Sequence, residues 1–556
     1  MAAAPNPSTG IEPQHRQTDL LHSSWLVWVA CLIAPLFWAG QGLAIALLRG
    51  PLWQTLADPA YVYLVGSAEV ATGMSSFAAQ HPGTPLYLLM AVADWATHVM
   101  SGSAGSLYED VVNRPESFLL VHDVMLVVLQ SAGLLAFGIV FARHFGLGAA
   151  LVGQGVALLS RGLADSAVSP IPLQIAIFLA LLAAIGPAFD GSRREMSVRR
   201  LALVGALMAL GFTTKMTFFP ALALPLLLFR PRQLLTIYAW CVGFGSLLVL
   251  VVVRDELLNA AVWWRNLFLT SGRTPGDADT QPLFPALRDI PAVAAEWTPV
   301  ALVALAVTLG CLVLSRVVIR ESGPAWLPWR GMGSMWLVIV LSLLATLKTY
   351  RPWDLVLIPI ASAVVIALAW AWVFEGRTST TVRSSLRIAV PGIVLIGLAA
   401  WSGAQVPADV ARSKASTEYL AMVKYAEDRA SAGKPIMTSY GVFTPATALY
   451  FGQWLSHREL APEIVSRNPG WLEYKLENGR FYYFTDVGEV EFTCAELKSL
   501  ISGPDDVIYI PGRELTFPED APQYSSITTE KVGSIGPQEV LRLVEITCAA
   551  DEARAD

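Results

Sequence analysis

The chain has 556 residues, of which 54% are hydrophobic and only 15% are charged, and its mean hydropathy is +0.52. This composition excludes an ordinary soluble globular protein and indicates an integral membrane protein. The formal net charge of −6 is small for this length, and the arginines lie in short clusters between apolar runs instead of forming a basic surface, so we do not expect nucleic acid as a partner.

The N-terminal residues 1–24 are mainly polar and precede an apolar run that is long enough to span. We therefore predict a cytoplasmic tail followed by a retained anchor, because a cleaved signal peptide would have a charged start and a shorter apolar core. Runs of about 20 mainly apolar residues predict spanning helices. They centre on 25–48, 118–142, 170–188, 234–253, 297–315, 332–347, 354–374 and 388–404.

Four further segments are weaker candidates for spans, because they are short, interrupted or carry a charge. They are 84–101, which contains Asp94, 145–160, 199–214 and 215–229. With them, the chain is predicted to be a polytopic α-helical membrane protein of about eleven or twelve spans.

Lys and Arg concentrate in short cytoplasmic loops of membrane proteins, and this rule orients the chain. The arginine-rich loops contain Arg193, Arg194, Arg199, Arg200, Arg230, Arg232, Arg316, Arg320, Arg330, Arg377, Arg383 and Arg387. The segments opposite them, including 49–83, 254–296 and the region after 405, then face the exterior. This orientation requires one candidate span before residue 190 not to cross fully, and 145–160 is the shortest of these, with 84–101 as the alternative.

The apolar runs stop near residue 405, and the rest has the composition of a soluble domain. We therefore divide the chain into a transmembrane catalytic domain at 25–404, with a first exterior loop at 49–83, and a periplasmic α/β domain at 405–556. Its predicted helices are 416–432 and 494–501, and its predicted strands are 435–439, 481–485 and 507–510.

The α/β region contains no GxGxxG, GxSxG or HExxH motif, so no chemistry of its own is assigned to it. It contains two cysteines, Cys494 and Cys548. If this region is exported, the two thiols have an oxidising environment in which they are able to pair. The sequence leaves two alternatives open for these cysteines, a disulfide or two free thiols.

The stretch 57–86 is polar and rich in Pro and Gly, although it lies between two apolar segments. Asp58, which directly precedes a proline, is either a helix cap or a general base that takes the proton of an acceptor hydroxyl. Tyr61 is a candidate substrate contact. His81 precedes a Pro-Gly-Thr-Pro turn that would hold it against a phosphate or a sugar hydroxyl. Glu69 is either a second acidic contact or part of the solvated face of a surface helix.

Two groups of cations lie at breaks between apolar segments on the predicted exterior side. Lys215 interrupts the sequence GFTTKMTFFP, and Lys348, Tyr350 and Arg351 belong to KTYRPWD. Both groups are candidate sites for a lipid phosphate. The alternatives are a snorkelling lysine for the first and an aromatic belt with flanking charges for the second.

Two other exterior segments supply candidate contacts. Arg161 and Asp165 lie in the short loop SRGLADSAVSP, where they form a helix-end ion pair or orient a donor. Arg265 follows two tryptophans in the segment 254–296, a pattern that is typical of a surface helix resting on the bilayer.

In their order, these motifs resemble those of membrane glycosyltransferases of the GT-C fold, which include protein O-mannosyltransferases and the aminoarabinose transferases acting on lipid A. The resemblance rests on Asp58 after the first span, the His-Pro turn, Gly-x-x-x-Lys at 211–215 and Lys-x-x-Arg-Pro from Lys348. It covers about residues 20–405 in layout. The first loop lacks the Asp-Glu doublet that is common in relatives, which leaves the acceptor class open.

The resemblance implies a GT-C-like membrane domain that transfers a sugar, with inversion, from a polyprenyl-phosphate carrier to a glycan, lipid or protein acceptor on the exterior face. Asp58 matches the catalytic carboxylate of the first loop. Lys215, Lys348 and Arg351 match positions that would hold the donor phosphate, where cations stabilise the charge of the leaving group. The spacing of Arg161 and Asp165 is not the usual one, so the role of Asp165 stays open.

We therefore expect a multi-pass protein of the bacterial inner membrane whose partners are the lipid-linked donor, its acceptor and the bilayer. No cofactor is indicated with certainty. No HxxxH or repeated paired-carboxylate spacing indicates a metal, although a divalent ion held by Asp58 and residues distant in sequence stays open.

Two other functions remain as alternatives. A polymerase or ligase of lipid-linked glycans would have its indispensable residues in the segment 254–296. A transporter or lipid flippase would need charged groups deep in the spans, and His122 and Asp123 adjoin one another within a predicted span. Because neighbouring residues point to different sides of a helix, we expect at most one of the two to face a site.

Overall fold

The structure of the chain is a computed structural model. It describes residues 25–54, 57–75, 83–158, 168–190, 196–254, 257–258, 261–262, 265, 299–322, 328–346, 355–375, 381–412, 417–439, 444–453, 456–457, 459–467, 471–475, 480–485, 488–502, 506–510, 524–535 and 538–548.

The described chain is helical as far as residue 431. The helices are α1 (Trp25–Leu48), α2 (Ala57–Ala71), α3 (Thr84–Ser101), α4 (Leu107–Asn113), α5 (Pro115–Phe145), α6 (Leu147–Ala157), α7 (Pro170–Ile185), α8 (Val198–Thr214), α9 (Pro231–Val253), α10 (Pro299–Ser322), α11 (Trp329–Thr346), α12 (Leu357–Trp370), α13 (Thr381–Arg412) and α14 (Thr417–Ser431). Short 3₁₀ segments lie at Leu52–Gln54, Gly186–Asp190 and Met216–Leu227, and Ala371–Glu375 continues α12 as a π-helix.

Six helices of the described chain are long and apolar enough to cross a membrane, which confirms a multi-pass α-helical membrane protein. They are Trp25–Leu48, Pro115–Phe145, Pro170–Phe189, Pro231–Val253, Leu357–Phe374 and Ala389–Ala408. Two of them are central, because 83% of the segment in α7 and 78% of that in α12 are buried within the protein. In α1 and α9 the buried shares are only 28% and 22%, so these helices leave apolar surface for lipid.

Within the described residues, four other apolar helices are shorter, among them α6. It corresponds to the predicted segment 145–160 and has only 11 residues, which rise about 16 Å against a hydrocarbon core of about 30 Å. Its length agrees with the expectation that this segment does not cross fully.

The segment 49–83, which was predicted to be an exterior loop, folds differently from the polar loop that its composition suggested. Its residues 57–71 form α2, which packs against α3 and is buried along most of its length. Gly83 allows the close approach before α3, because a Cβ at this position would lie 2.5 Å from the ring of Tyr63. Tyr63 in turn packs on Tyr87, with ring centroids 5.0 Å apart.

The predicted break at Lys215 is present. α8 ends at Thr214, Lys215 is extended with φ −159° and ψ 134°, and a 3₁₀ segment follows at Met216–Leu227. The two prolines within that segment, Pro220 and Pro225, have no N–H for α-helical hydrogen bonds, which accounts for the change of helix type.

The C-terminal region forms one mixed sheet with short helices, as its composition predicted. Its strands are β1 (Ile436–Ser439), β2 (Trp471–Lys475), β3 (Arg480–Thr485), β4 (Gly488–Glu491), β5 (Ile508–Ile510), β6 (Tyr524–Ile535) and β7 (Gln538–Cys548), and its remaining helices are α15 (Pro445–Gly452), α16 (Ala461–Arg467) and α17 (Cys494–Ile501). The strand order is β4-β3-β2-β1-β5-β7-β6, and β1 is parallel to both of its neighbours.

A disulfide joins α17 to the end of β7. It connects Cys494 to Cys548 across 54 residues of sequence, with their Cα atoms 5.8 Å apart. The three other cysteines, Cys31, Cys241 and Cys311, are free.

The segment that contains α15 and α16 packs on the helical bundle. α15 lies against α2, and the side chains of Leu449, Tyr450 and Ile464 belong to the same hydrophobic core as the membrane helices. Gly452, the last residue of α15, approaches α2 so closely that a Cβ there would lie 2.5 Å from the carbonyl oxygen of Tyr61. The C-terminal region is thus fastened directly to α2.

Candidate functional site

A buried arginine lies where α1 ends and α5 begins. The side chain of Arg49, which follows α1, is only 5% exposed and holds two carboxylates of α5. Its Nε lies 3.1 Å from Oδ2 of Asp123, its Nη2 donates to the same oxygen, and its Nη1 lies 3.8 Å from Oε2 of Glu116. Removing one partner from such a buried pair typically costs about 3–5 kcal/mol, because the other charge is left without compensation.

Tyr61 connects α2 to this pair of carboxylates. Its side chain is fully buried, and its hydroxyl donates to Oε1 of Glu116 over 2.8 Å. Burial and the Glu116 carboxylate raise the pKa of Tyr61 well above its usual value, so the hydroxyl remains a donor. Below, "the Arg49 cluster" means Arg49, Tyr61, Glu116 and Asp123.

Glu116 is the accessible member of the Arg49 cluster. Its side chain is 31% exposed, whereas that of Asp123 is 1% exposed. The backbone N–H of Trp53 also points at Glu116, 3.4 Å from Oε1. Groups from the end of α1, the 3₁₀ turn and α2 therefore converge on a single carboxylate of α5, which holds these four elements in one arrangement.

Asp58 is carried by the first turn of α2. The helix begins at Ala57, so Asp58 lies inside it instead of at the capping position before it. It precedes Tyr61 by three residues, a rise of about 4.5 Å along the helix axis. The backbone that carries Asp58 is therefore tied to α1 and α5 through Tyr61 and the rest of the Arg49 cluster.

A second buried network joins α2, α3 and α5. Oγ of Ser67 lies 2.5 Å from Oδ2 of Asp94, and Nε2 of His122 lies 2.7 Å from Oδ1 of the same carboxylate. Since a carboxylate accepts, Nε2 of His122 carries the hydrogen, and its buried Nδ1 has no hydrogen-bond partner. His122 thus contacts α3 while its neighbour Asp123 contacts Arg49, as expected for adjacent residues on different sides of a helix.

An ion-pair cluster links α3 to α4. Oδ2 of Asp110 lies 2.6 Å from Nδ1 of His98 and 2.8 Å from Nη2 of Arg114. Desolvation acts to raise the pKa of Asp110, but hydrogen bonds from Ser103, His98 and Arg114 outweigh it and lower the pKa to about 2. This carboxylate stays ionised over the physiological range, so we assign it a structural role.

Glu69 is buried, and the alternative that placed it on a solvated helix face is wrong. Its Oε1 accepts from the backbone N–H of His457 over 2.8 Å, and its exposed fraction is 0%. Desolvation raises the pKa of Glu69 to about 8, although hydrogen bonds from His457, Ser456 and Glu459 act in the opposite direction. In return, Nε2 of His457 donates to the carbonyl of Ser75 over 2.8 Å, which fastens the chain after α15 to the end of α2.

The other predicted site residues are placed as follows. Lys215 is half-buried at the junction of α8 and the 3₁₀ segment, and Arg265 is exposed. Six further residues lie outside the described part of the chain: His81, Arg161, Asp165, Lys348, Tyr350 and Arg351. The proximity of the predicted cations to Asp58 therefore stays a prediction.

Sequence reasoning missed Arg49, Glu116 and His457. Two of them had a recognisable signal, because Arg49 directly follows the first span and Glu116 lies in the first turn of a long apolar helix. His457, which follows α15, had none, since its contact with α2 joins residues more than three hundred positions apart in the sequence.

Within the described part of the chain, no three His, Cys, Asp or Glu side chains are grouped so that they would hold a metal ion.

No protein-family model matches the sequence, and a search of curated proteins finds no match. Among solved structures, the chain is similar to the crystal structure of ArnT from Cupriavidus metallidurans bound to undecaprenyl phosphate. The TM-score is 0.45 and the identity 12%, over 94% of this chain and 98% of that chain.

A second similar structure is that of the Archaeoglobus fulgidus oligosaccharyltransferase in complex with Zn and sulfate. Its TM-score is 0.39 and its identity 11%, over 92% of this chain and 73% of that chain. Neither TM-score reaches 0.5, so these likenesses do not assign an activity to this chain.

Proposed function

We propose that the chain is a membrane glycosyltransferase that transfers a sugar from a polyprenyl-phosphate donor to a glycan, lipid or protein acceptor on the exterior face. The observation that carries this proposal is the connection of the Asp58 turn, through Tyr61, to the buried charges of the Arg49 cluster. Buried charges are costly, and their arrangement around one short helix is best explained by a need to hold that helix in place.

In the proposed reaction, the Asp58 carboxylate accepts the proton of an acceptor hydroxyl while the hydroxyl oxygen attacks the anomeric carbon of the donor. The bond between that carbon and the phosphate oxygen breaks, and polyprenyl phosphate leaves with the bonding electrons. Attack opposite the leaving group inverts the configuration. Lys215, Lys348 and Arg351 are the candidates for stabilising the negative charge of the leaving phosphate.

The exterior location of the site is supported by the disulfide between Cys494 and Cys548. Disulfides persist in oxidising compartments such as the bacterial periplasm and are rare in the cytosol. Because α15 packs on α2, the disulfide-bearing region and the Asp58 turn belong to the same side of the bundle. We accordingly propose a bacterial inner-membrane protein with its C-terminal domain in the periplasm.

The proposal is tested with the full chain in lipid nanodiscs and a panel of undecaprenyl-phosphate-linked pentoses and hexoses. Mass spectrometry measures the release of undecaprenyl phosphate when octyl glycosides are present as acceptors. We expect Asp58→Asn to lower turnover by at least about a hundredfold, the contribution typical of a general base. Binding of undecaprenyl phosphate should be unchanged.

The matched control is Asp506→Asn, which changes an exposed carboxylate in a surface pair with Arg542. It should retain wild-type turnover. Wild-type turnover by the Asp58→Asn variant would show that Asp58 is not the general base. If no donor of the panel is consumed by the wild-type protein, the transferase proposal itself fails.

The described structure does not favour a transporter. His122 and Asp123 are the groups that transport would require to be free, and both are engaged in fixed contacts with Asp94 and Arg49. These contacts hold the helices together, so we do not propose transport as a second function.

A further inference from the structure

Gln174 is the only polar residue of α7, a helix that is otherwise apolar and lies in the centre of the bundle. Its side chain is fully buried, and both of its amide atoms lie beside one hydroxyl group. Nε2 donates to Oγ1 of Thr217 over 3.1 Å, and Oε1 lies 3.4 Å from the same oxygen. Burying an amide is costly unless it is hydrogen-bonded, so Thr217 is the partner that makes this glutamine tolerable in α7.

A second side chain of α7 contacts the next residue of the 3₁₀ segment. Phe178 follows Gln174 by four residues, so the two side chains lie one turn apart on the same face of α7. The rings of Phe178 and Phe218 are in a T-shaped arrangement, with centroids 6.0 Å apart and planes at 87°. One face of α7 therefore contacts two consecutive residues, Thr217 and Phe218, in the first turn of the 3₁₀ segment.

The last turn of α8 also contacts Phe218. Gly211 belongs to this turn, and a Cβ at its position would lie 2.4 Å from atoms of the Phe218 ring. Any larger residue there would displace the ring. Phe218 is fully buried in contact with both helices.

These contacts fix the turn that begins with Lys215. The backbone N–H of Phe218 donates to the carbonyl of Lys215 over 3.0 Å, and the N–H of Lys215 donates to the carbonyl of Gly211 over 3.1 Å. Lys215 thus joins the end of α8 to the turn whose last two residues, Thr217 and Phe218, are held by α7. Its backbone is fixed at both ends, while its side chain is half-buried.

We propose that the hydrogen bond between Gln174 and Thr217 positions Lys215 for its contact with the phosphate of the polyprenyl donor. This inference rests on the proposed transferase function and assigns positioning residues to one of its candidate phosphate-binding cations. The ammonium group of a lysine lies at the end of a flexible four-carbon chain. It stabilises the charge of a leaving phosphate best when the backbone that carries it is held in place, so the fixed turn has a function as well as a structure.

The test compares two substitutions of Thr217 in the full chain in lipid nanodiscs, with undecaprenyl phosphate as the binding probe. Thr217→Val replaces the hydroxyl by a methyl group and removes the partner of Gln174, whereas Thr217→Ser retains the hydroxyl. Native mass spectrometry measures the affinity. We expect Thr217→Val and Gln174→Leu to bind the probe about fivefold more weakly, which corresponds to about 1 kcal/mol for one hydrogen bond. Thr217→Ser should bind it as the wild type does.

A double-mutant cycle separates positioning of Lys215 from a general loss of stability. In a Lys215→Met background, Thr217→Val should cause no further loss of affinity, because the side chain that it positions is already absent. The matched control is Gln130→Leu, which removes another buried, hydrogen-bonded glutamine, whose partner is Trp38. It should leave the affinity unchanged. Equal losses from Thr217→Val with and without the lysine overturn the positioning role.

Kinetics distinguish the failure of this inference from that of the transferase proposal. In transfer assays, Thr217→Val should lower kcat and leave the acceptor KM unchanged, since the lysine acts on the leaving phosphate. Transfer by a wild-type protein whose phosphate affinity and kcat are both unaffected by Thr217→Val keeps the transferase and overturns the positioning role. Binding of undecaprenyl phosphate that depends on Thr217 and Lys215, in a protein that consumes no donor, keeps the phosphate contact and rejects the transferase. A wild-type protein that does not bind the probe overturns the inference.

Discussion

At the scale of single residues, Arg49 is the cation that joins the two carboxylates beside the candidate site. One cation compensates the charges of Glu116 and Asp123, and through Glu116 it reaches the hydroxyl of Tyr61. Of these residues only Glu116 is accessible. The cluster therefore acts on Asp58 by positioning the turn that carries it.

We predict that Tyr61→Phe lowers kcat by about ten- to a hundredfold with little change in KM for either substrate, because a hydrogen bond to a charged group contributes about 1.5–3 kcal/mol and this contribution to positioning is lost. Steady-state transfer kinetics measure this. The matched control is Tyr108→Phe, which removes a hydroxyl that contacts Thr72 at the other end of α2. Equal kinetics for the two variants would contradict the positioning role of Tyr61.

At the scale of elements, α2 is the helix on which the candidate site is built. Its first turn carries Asp58, its middle contacts the Arg49 cluster and the Asp94–His122 pair, and its last turns hold Glu69 against His457. A short helix with so many polar partners depends on the elements around it. Changes in residues 444–457, the segment that contains α15, should therefore alter the position of α2.

We predict that docking of the α15 segment weakens at alkaline pH. Burial raises the pKa of Glu69 from 4.5 to about 8, so the folded state binds this proton more tightly than the unfolded state does. The free energy of unfolding then falls as the pH rises through this interval, and the stabilisation is lost above about pH 8. The nearby groups Glu459, His457 and Tyr108 are the other titratable residues of this contact.

Hydrogen exchange of the amides in 444–457, measured between pH 5 and pH 9 and corrected for intrinsic rates, checks this prediction. In Glu69→Gln, which does not ionise, the pH dependence of protection should be much smaller. Glu109→Gln is the control, because Glu109 is exposed in the capping box of α4. The same pH dependence in Glu69→Gln and wild type would rule out Glu69 as its cause.

At the scale of the whole molecule, two connections join the C-terminal region to the membrane bundle within the described part of the chain. α13 continues from its apolar segment to Arg412, immediately before the C-terminal region, and α15 and α16 return to pack on the bundle core. The disulfide lies away from this contact, between α17 and β7. Loss of the disulfide should therefore affect the sheet more than the bundle.

We predict that Cys494→Ser lowers the stability of the sheet by about 4 kcal/mol, as expected for a loop of 54 residues in the chain-entropy model. Limited proteolysis should cleave within 471–548 earlier than in wild type, with the membrane helices retained. In intact cells, a membrane-impermeant thiol reagent should label wild-type Cys494 and Cys548 only after reduction. Labelling that requires cell lysis would place this region in the cytoplasm and contradict the proposed orientation.

Much of the architecture was predictable because it follows from local properties of the sequence. Apolar length identified the membrane helices, and alternation and helical spacing identified elements such as 416–432, which is α14, and 494–501, which is α17. The polar composition of 57–71 was misleading, because its polar residues are satisfied by distant groups in the folded chain and so allow a buried helix. The β6–β7 hairpin was also missed, since β6 is largely polar.

The sequence by itself determined that the protein lies in a membrane, that Asp58 is a candidate base in the segment after the first span, and that the last part is of the α/β class, because hydropathy and periodicity act over short distances along the chain. Only the tertiary structure decided which charges compensate one another. Arg49 meets Asp123 across 74 residues, and Glu69 meets His457 across 388, and neither pairing has a local signature. The physical reason is that a charge needs a compensating partner when it is buried away from water. Which charges are buried depends on how the whole chain packs.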